Sequence, residues 1–324
     1  MAGGFVANTR RKIVQLPTQT RPSGGGTTSI NLPKTGLLAG ILLAIRGSVT
    51  GTVTTANPLG FASIINRVRL TLNSGIDIFN VSGVGYNYLL REVLESEYVD
   101  ISGQNNARTA VSAAAFNLDM FIPVAINMRD PLGLILLQNE QTLLTLNIDW
   151  TADSNVVLTG GGTVAAATTA VPYIELFTVP VDPQDFPPIN IIHQILEDQQ
   201  AISGAQDWVY NWPRGNTYLQ VLHGVGVGAA GSDGFTKAQI RVNQSDYLQS
   251  TDIPYLDLEF RRMRGRARPA GGLFFDLLGS SGIGNYGLTR DVFNSSLVTD
   301  LASVITTSGA YTAYNVRRQL VVLQ

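Results

Sequence analysis

The sequence predicts an all-β fold made of two tandem β-sandwich domains. Runs rich in β-branched residues alternate with Gly, Pro and Asn turn signals along most of the chain, a pattern typical of sandwiches and jelly rolls. The order of these runs in the first half returns in the second half. A length of 324 residues is enough to bury two such cores.

Residues 1–29 are predicted to form an extended basic arm. The run LPTQTRPSGGGTTS holds Pro and Gly but no apolar periodicity. No acidic residue precedes Asp77, and such asymmetry favours contact with an acidic partner. We expect the arm not to fold alone, because it has little apolar surface to bury. Its basic residues are Arg10, Arg11, Lys12 and Arg21.

Residues 30–182 are predicted to form the first sandwich. The run GLLAGILLAI is too short to span a bilayer, which takes about 20 residues, so it is interpreted as a buried strand. Val68, Leu70 and Leu72 alternate with polar residues, which indicates a half-buried strand. In the stretch 85–99, apolar residues recur every three or four positions, which predicts a helix.

The run DPQDFPP marks the predicted domain boundary. Its prolines favour extended backbone and interrupt regular strand pairing. We therefore assign 183–188 to a linker and 189–324 to the second sandwich.

The second half repeats the first with different residues. RVRLTLN in the first half matches KAQIRVN in the second, so that Asn73 corresponds to Asn243. FNLDMFIPV matches GGLFFDLLG, with Asp119 set against Asp276. A second helix is predicted in TDIPYLDLEFRRM, where Thr251 or Asp252 caps the start and a proline suits the first turn.

Motifs that carry chemistry are not found. The chain has no cysteine, and His193 and His223 alone do not make a zinc set. It contains neither a G-x-S-x-G elbow nor a phosphate-binding loop ending in Gly-Lys-Ser/Thr. We therefore expect no catalytic, cofactor or metal site, no small-molecule substrate and no enzymatic activity.

Two stretches of the second half are candidates for subunit contacts. Charged residues make up only 14% of the chain, which suggests a surface covered by partners. Arginine is favoured in interfaces, and no aromatic residue interleaves with the arginine-rich run as nucleic-acid stacking would require. The candidates are Arg261, Arg262, Arg264, Arg266 and Arg268, together with Trp208, Tyr210 and Trp212 in DWVYNWP.

The segments LPKTGLLAGILLAIRGSVTGTVTT and INRVRLTLNSGIDIFNVSGVGYNYLLRE carry a family resemblance. They resemble the opening of the double jelly-roll major capsid proteins of the tectivirus–adenovirus lineage, in the form found in tailless bacterial viruses. The second strand of a hairpin carries the shared pattern, which here consists of Gly75, Ile78, Phe79, Val81, Ser82 and Gly83. The resemblance implies two tandem eight-stranded jelly rolls, each with a short helix after its second strand pair.

The same resemblance implies a role in a virion shell. Three chains would form a pseudo-hexameric homotrimer that tiles an icosahedral capsid, assembled in the host cytoplasm. Neighbouring trimers and minor capsid or vertex proteins would be partners, and the basic arm would meet an internal membrane or the genome. Deletion of 1–28 is then expected to leave trimers but impair shell assembly.

Two other functions stay open at this point. A tandem β-sandwich that binds or cleaves carbohydrate would use Trp208, Tyr210 and Trp212 as an exposed platform, or a carboxylate cleft. A cellular scaffold without a virion is the third reading.

Overall fold

The computed structural model describes Phe5, 8–50, 60–94, 115–126, 132–152, 163–165, 167–182, Asp185, 190–225, 233–277 and 293–323. The chain divides into two compact units. Unit 1 contains Met1–Asn87, Arg91–Leu196 and Val322–Gln324, and unit 2 contains Tyr88–Leu90 and Glu197–Val321. The division falls between Leu196 and Glu197, inside a strand, and not in the proline-rich run that sequence reasoning selected.

Unit 1 contains two antiparallel sheets. One has the order β1-β11-β4-β7 and the other the order β3-β9-β5-β6. Two-residue strands β2, β8 and β10 extend the first sheet. The strands up to the unit boundary are β1 (Arg11–Gln15), β2 (Gln19–Thr20), β3 (Gly26–Asn31), β4 (Leu37–Thr50), β5 (Ile65–Leu72), β6 (Ile76–Val81), β7 (Ala115–Pro123), β8 (Ile135–Leu136), β9 (Leu144–Trp150), β10 (Thr163–Val164), β11 (Thr169–Phe177) and β12 (Ile191–Ile202).

The core of unit 1 follows the alternation of its strands. In β5, Val68, Leu70 and Leu72 are buried while the residues between them are partly exposed, as predicted. The predicted buried strand is β4, where Ile41 and Leu43 have no exposed surface. Both patterns reflect the twofold period of strand side chains.

The segment after β6 is a short run of helical turns. Gly83–Gly85 and Arg91–Val93 are α-helical, and Tyr86–Leu90 between them is a π-helix. The buried Tyr86 hydroxyl accepts a hydrogen bond from the Phe121 amide at 2.6 Å, which ties the segment to β7. The prediction of a helix here is confirmed as far as Val93, and 95–99 lie outside the described residues.

Unit 2 also contains two antiparallel sheets. One has the order β12-β20-β14-β17 and the other the order β13-β19-β15-β16, with β18 pairing with β14. A helix, α1 (Ile253–Arg264), follows β16 as predicted, begins after Asp252 and ends at Gly265, whose φ is 68°. The remaining strands are β13 (Asp207–Asn211), β14 (Thr217–Val225), β15 (Phe235–Val242), β16 (Ser245–Asp252), β17 (Gly272–Asp276), β18 (Phe293–Asn294), β19 (Leu301–Thr307) and β20 (Tyr311–Val322).

The two units match strand for strand. β1, β11, β4 and β7 take the places of β12, β20, β14 and β17, while β3, β9, β5 and β6 take those of β13, β19, β15 and β16. Each unit therefore has the two four-stranded sheets expected of a jelly roll. The predicted fold of two tandem eight-stranded jelly rolls, each with a helical segment after its second strand pair, is confirmed.

The hairpin turns explain the matched asparagines. Asn73 and Ser74 have φ angles of 49° and 58°, and Asn243 and Gln244 have φ angles of 51° and 66°. Positive φ at both central positions defines a type I′ turn, which favours Asn at the first of them. Asn73 Oδ1 accepts from the Leu143 amide at 2.8 Å, just as Asn243 Oδ1 accepts from the Thr299 amide at 2.8 Å. Each turn is thereby fastened to the start of the neighbouring strand.

The strand match between β7 and β17 holds, but the residue match proposed within it does not. Gly40 and Gln220 each follow a bulge at the same place in β4 and β14. They pair with Pro123 and Asp276 respectively. Asp276 therefore corresponds to Pro123 and not to Asp119, because counting acids along the chain does not fix strand register.

The largest correction concerns the predicted N-terminal arm. Residues 11–31 supply β1, β2 and β3, so two of the eight strands of the first jelly roll come from this segment. β1 pairs with β11 and β3 pairs with β9. Sequence reasoning missed these strands because they are mostly exposed and polar, and their hydrogen-bond partners lie far away in the chain.

Candidate assembly surfaces

The basic residues near the N-terminus have different environments. Lys12 is exposed on β1, and Arg10 is also exposed, with its amide donating to Thr178 Oγ1 at 2.9 Å. Arg11 forms an ion pair with Glu175 of β11 at 2.5 Å. Arg21 was expected on an assembly arm, but it is only 3% exposed and donates to the Thr151 carbonyl at 2.7 Å. Arg21 is therefore a structural residue of unit 1.

The arginine-rich run splits into exposed and buried members. Arg261, Arg262 and Arg266 are exposed. The Arg264 side chain, largely buried, pairs with Asp276 at 2.8 Å. The Arg268 side chain, 4% exposed, forms ion pairs with two aspartates described below. The expectation of subunit contacts is thus corrected for Arg264 and Arg268, because their guanidinium groups are engaged within the chain.

Arg268 is the centre of a polar cluster in unit 2. Its Nε donates to Asp257 Oδ1 of α1 at 2.6 Å, and its Nη1 donates to Asp233 Oδ1 at 3.0 Å. Nη1 also donates to the Gly272 carbonyl at the start of β17. The Gly271 amide donates to Asp233 Oδ1 at 2.9 Å. One side chain thus joins the helix, β17 and the segment before β15.

The aromatic residues of β13 and Trp212, which follows it, point into the core of unit 2. Trp208, Tyr210 and Trp212 are buried, while the residues between them are exposed. Each polar group has a partner in unit 2: Trp208 Nε1 donates to Gln200 at 2.8 Å, and Tyr210 donates to Asp198 at 2.7 Å. The expectation that these residues contact another subunit is corrected, and they cannot form the exposed platform that a carbohydrate-binding function would need.

A second buried polar group lies beside these aromatics. His223 of β14 donates from Nδ1 to Asn315 Oδ1 at 2.8 Å, and its Nε2 lies 2.9 Å from Ser303 Oγ. Trp212 Nε1 donates to the same Ser303 oxygen at 2.8 Å. The ring of Trp208 packs edge-on against the imidazole. Ser303 and His223 are fully buried, so this Ser-His-Asn arrangement offers no access to a substrate.

The buried imidazole makes unit 2 sensitive to acid. Burial lowers the pKa of His223 from 6.5 to about 4, so the unfolded chain takes up a proton below pH 6.5 that the folded chain refuses. The contribution of His223 to the free energy of unfolding is therefore fully present above pH 6.5 and is lost as the pH falls toward 4. Between pH 7 and pH 5 we expect the free energy of unfolding to fall by about 2 kcal/mol from this residue. Urea unfolding at both pH values tests this: the loss should be about 2 kcal/mol smaller in His223→Gln, and equal losses would contradict it.

The outward face of α1 is an apolar patch that sequence reasoning missed. Leu256 and Phe260 face the core, as the helix pattern requires. Tyr255 is 55% exposed and Leu258 is 64% exposed, three positions apart on the opposite side. Arg262 continues that side by one further turn. The sequence could have indicated this patch, because apolar residues fall on both sides of the predicted helix.

Apart from the two-residue strands, six of the strands that the structure describes pair with one neighbour only: β1, β3, β7, β13, β16 and β17. β1 pairs only with β11, and β16 pairs only with β15. An open edge is a row of backbone donors and acceptors that another strand can complete. Ile13, at the middle of β1, is 56% exposed.

The described part of the chain offers neither a metal-binding cluster nor a membrane-spanning helix. No group of three or more His, Cys, Asp or Glu side chains there is arranged to hold a metal ion. None of the helices described is both long and apolar enough to cross a membrane.

Comparison with known proteins gives no match in sequence and clear matches in fold. No protein-family model matches the chain, and no curated protein matches it. The major capsid protein (MCP) of Sulfolobus Turreted Icosahedral Virus is 14% identical, with 97% of both chains covered and a TM-score of 0.70. The Faustovirus major capsid protein is 11% identical, with 97% of this chain and 90% of that chain covered and a TM-score of 0.61.

A bacterial virus provides a third similar structure. The major capsid protein P2 from bacteriophage PM2 is 14% identical, with 97% of this chain and 98% of that chain covered and a TM-score of 0.55. At such identities the likeness establishes the fold. Together with the strand order above, it shows that this chain has the double jelly-roll fold of viral major capsid proteins.

Proposed function

We propose that the chain is the structural major capsid protein of a virus, and that three copies form a pseudo-hexameric tile of an icosahedral shell. The observation that carries the proposal is the duplication: two units with the same strand order, the same bulge and the same Asn turn. Three such chains present six similar jelly rolls around a threefold axis. A subunit with threefold symmetry can thereby fill a sixfold position in a shell.

The surface composition supports extensive contact with partners. Charged residues are only 14% of the chain. Large apolar side chains are exposed in both units, among them Ile13, Tyr255, Leu258 and Leu297. Obligate interfaces are more apolar than ordinary protein surface, so these residues are suited to burial in an assembly.

The exposed basic residues are the proposed points of contact with further partners. The exposed Arg261 and Arg262 are the proposed partners for carboxylates of neighbouring subunits, and Arg266 is exposed beside them. Of the basic residues in the predicted arm, Arg10 and Lys12 are the proposed contacts with an internal membrane, the genome or a minor capsid or vertex protein. In this proposal the protein assembles in the host cytoplasm and functions in the virion.

Sedimentation equilibrium of the purified full-length chain tests the proposal. We expect a stable species with three times the chain mass of 34.8 kDa. Negative-stain microscopy of that species should show hexagonal tiles or closed shells. A clean monomer at high protein concentration would contradict the proposed function.

A further inference from the structure

The duplication distinguishes β1 and β16 from the other edge strands. The counterpart of β1 in unit 2 is β12, and the counterpart of β16 in unit 1 is β6. These two counterparts are not open. Ile195 and Leu196 of β12 pair in parallel with Phe79 and Asn80 of β6, and all four residues lie in unit 1. β1 and β16 are therefore the open copies of two elements of the fold that are joined once within the chain, whereas the edge strands β3 and β7 and their counterparts β13 and β17 are open in both units.

Alternate backbone groups of β1 point away from β11, toward the side on which a further strand could pair. Thr178 donates to the Arg10 carbonyl at 3.0 Å, and the Leu16 amide donates to Pro172 at 2.9 Å. Even-numbered residues of β1 thus bond to β11. Because strand groups alternate, the amide and carbonyl of Ile13 point away from β11.

In β12, alternate backbone groups likewise face opposite neighbours. The Leu323 amide donates to the Asn190 carbonyl at 2.8 Å, so even-numbered residues face β20 and Ile195 faces β6. The bulges in β4 and β14 align Glu175 of β11 with Arg318 of β20. Ile13 lies opposite Glu175. Counting from Asn190 opposite Leu323 sets Ile195 opposite Arg318, so Ile13 takes the place of Ile195. The side chain of Gln194 strengthens the pairing by donating to the Asp77 carbonyl of β6 at 2.8 Å.

The register of β16 identifies the other half of the pair. Phe79 lies opposite Leu70 after a register shift in the first hairpin. Leu248 lies opposite Ile240 after a shift at the same place in the second hairpin. Leu248 therefore takes the place of Phe79.

We propose that the open edge of β1 in one copy pairs in parallel with the open edge of β16 in a second copy, with Ile13 opposite Leu248. The proposal rests on the proposed homotrimer and names the contact that closes it. Each copy contributes one edge of each kind, so the contact is head-to-tail, and such a contact forms a ring when its rotation closes. Completing both edges by strand addition also removes two sites of non-specific strand pairing.

Thiol cross-linking tests the contact directly, because the chain contains no cysteine. In the double variant Ile13→Cys/Leu248→Cys, mild oxidation should link most chains into covalent dimers and trimers on a denaturing gel. Mixing the two single variants should yield dimers only. The matched control is Val209→Cys/Leu248→Cys, since Val209 is exposed on β13, the opposite edge strand of the same sheet. That control should remain monomeric on the gel.

The outcomes separate this contact from the proposed function. A trimer by sedimentation without cross-links above the Val209 control would overturn the strand pairing and leave the capsid role standing. A monomer by sedimentation would remove both.

A second variant tests the backbone and not the side chain. Ile13→Pro removes the outward amide, which has no partner among the described residues of the same chain, whereas Ile13→Ala keeps it. We expect the proline variant to weaken the trimer at least tenfold relative to the alanine variant, with far-UV circular dichroism unchanged. Equal trimer affinities for the two folded variants would overturn the proposal.

Discussion

Removing residues 1–28 is expected to prevent the first jelly roll from folding. The deletion takes away β1, β2 and the first half of β3, and with them the strand that pairs with β11 from Arg11 to Gln15. It also removes the buried side chains of Phe5, Leu16 and Arg21. Each buried apolar side chain contributes about 1.5–3 kcal/mol, and a domain has only about 5–15 kcal/mol in total. The loss is comparable with the whole stability of unit 1.

This outcome replaces the one that the sequence predicted, in which the same truncation left intact trimers. Expression of the truncated chain should give aggregated protein, or protein in which only unit 2 unfolds cooperatively. Deletion of residues 1–4 is the control, because it retains Phe5, which packs edge-on against Phe177 with 5.4 Å between ring centroids. A 1–28 deletion with the melting temperature and sedimentation mass of the full chain would show that these strands are dispensable.

Local patterns predicted the parts of the fold in which burial alternates along one strand. β5 and β9 have one buried face and one polar face, so period-two alternation identifies them without knowledge of their partners. The duplication was also predictable, because a type I′ turn restricts its first central position strongly enough to leave Asn at both Asn73 and Asn243.

Long-range pairing explains what the sequence did not predict. β1 is almost wholly exposed and becomes a strand because β11 lies beside it, more than 150 residues later in the chain. The alternation in DWVYNWP predicted a strand with one aromatic face, yet only the neighbouring His223 and Phe275 reveal that this face is the core of unit 2. Charge composition likewise predicted one role for all five arginines of the arginine-rich run, whereas three of them are exposed and two form ion pairs within unit 2.

Replacing Arg268 by methionine is expected to destabilise unit 2 by about 1–3 kcal/mol, the cost of leaving hydrogen-bonding groups without a partner, because the guanidinium is buried while Asp233 and Asp257 remain 27% and 43% exposed to water. Methionine fills much of the space but donates no hydrogen bond. Asp233 then keeps only the Gly271 amide at 2.9 Å as a described donor, and the Gly272 carbonyl loses the Arg268 guanidinium. Because Arg268 joins α1 to the start of β17, the loss should affect both elements at once.

Arg261→Met is the matched control from the same arginine-rich run. Arg261 is exposed in the last turn of α1, where its charge interacts favourably with the helix dipole, so its replacement should cost about 0.5 kcal/mol. Urea unfolding followed by tryptophan fluorescence reports on this unit, because Trp208 and Trp212 are both buried in its core. Equal unfolding free energies for the two variants would mean that the Arg268 cluster is screened by water, and that α1 is held by Leu256 and Phe260 alone.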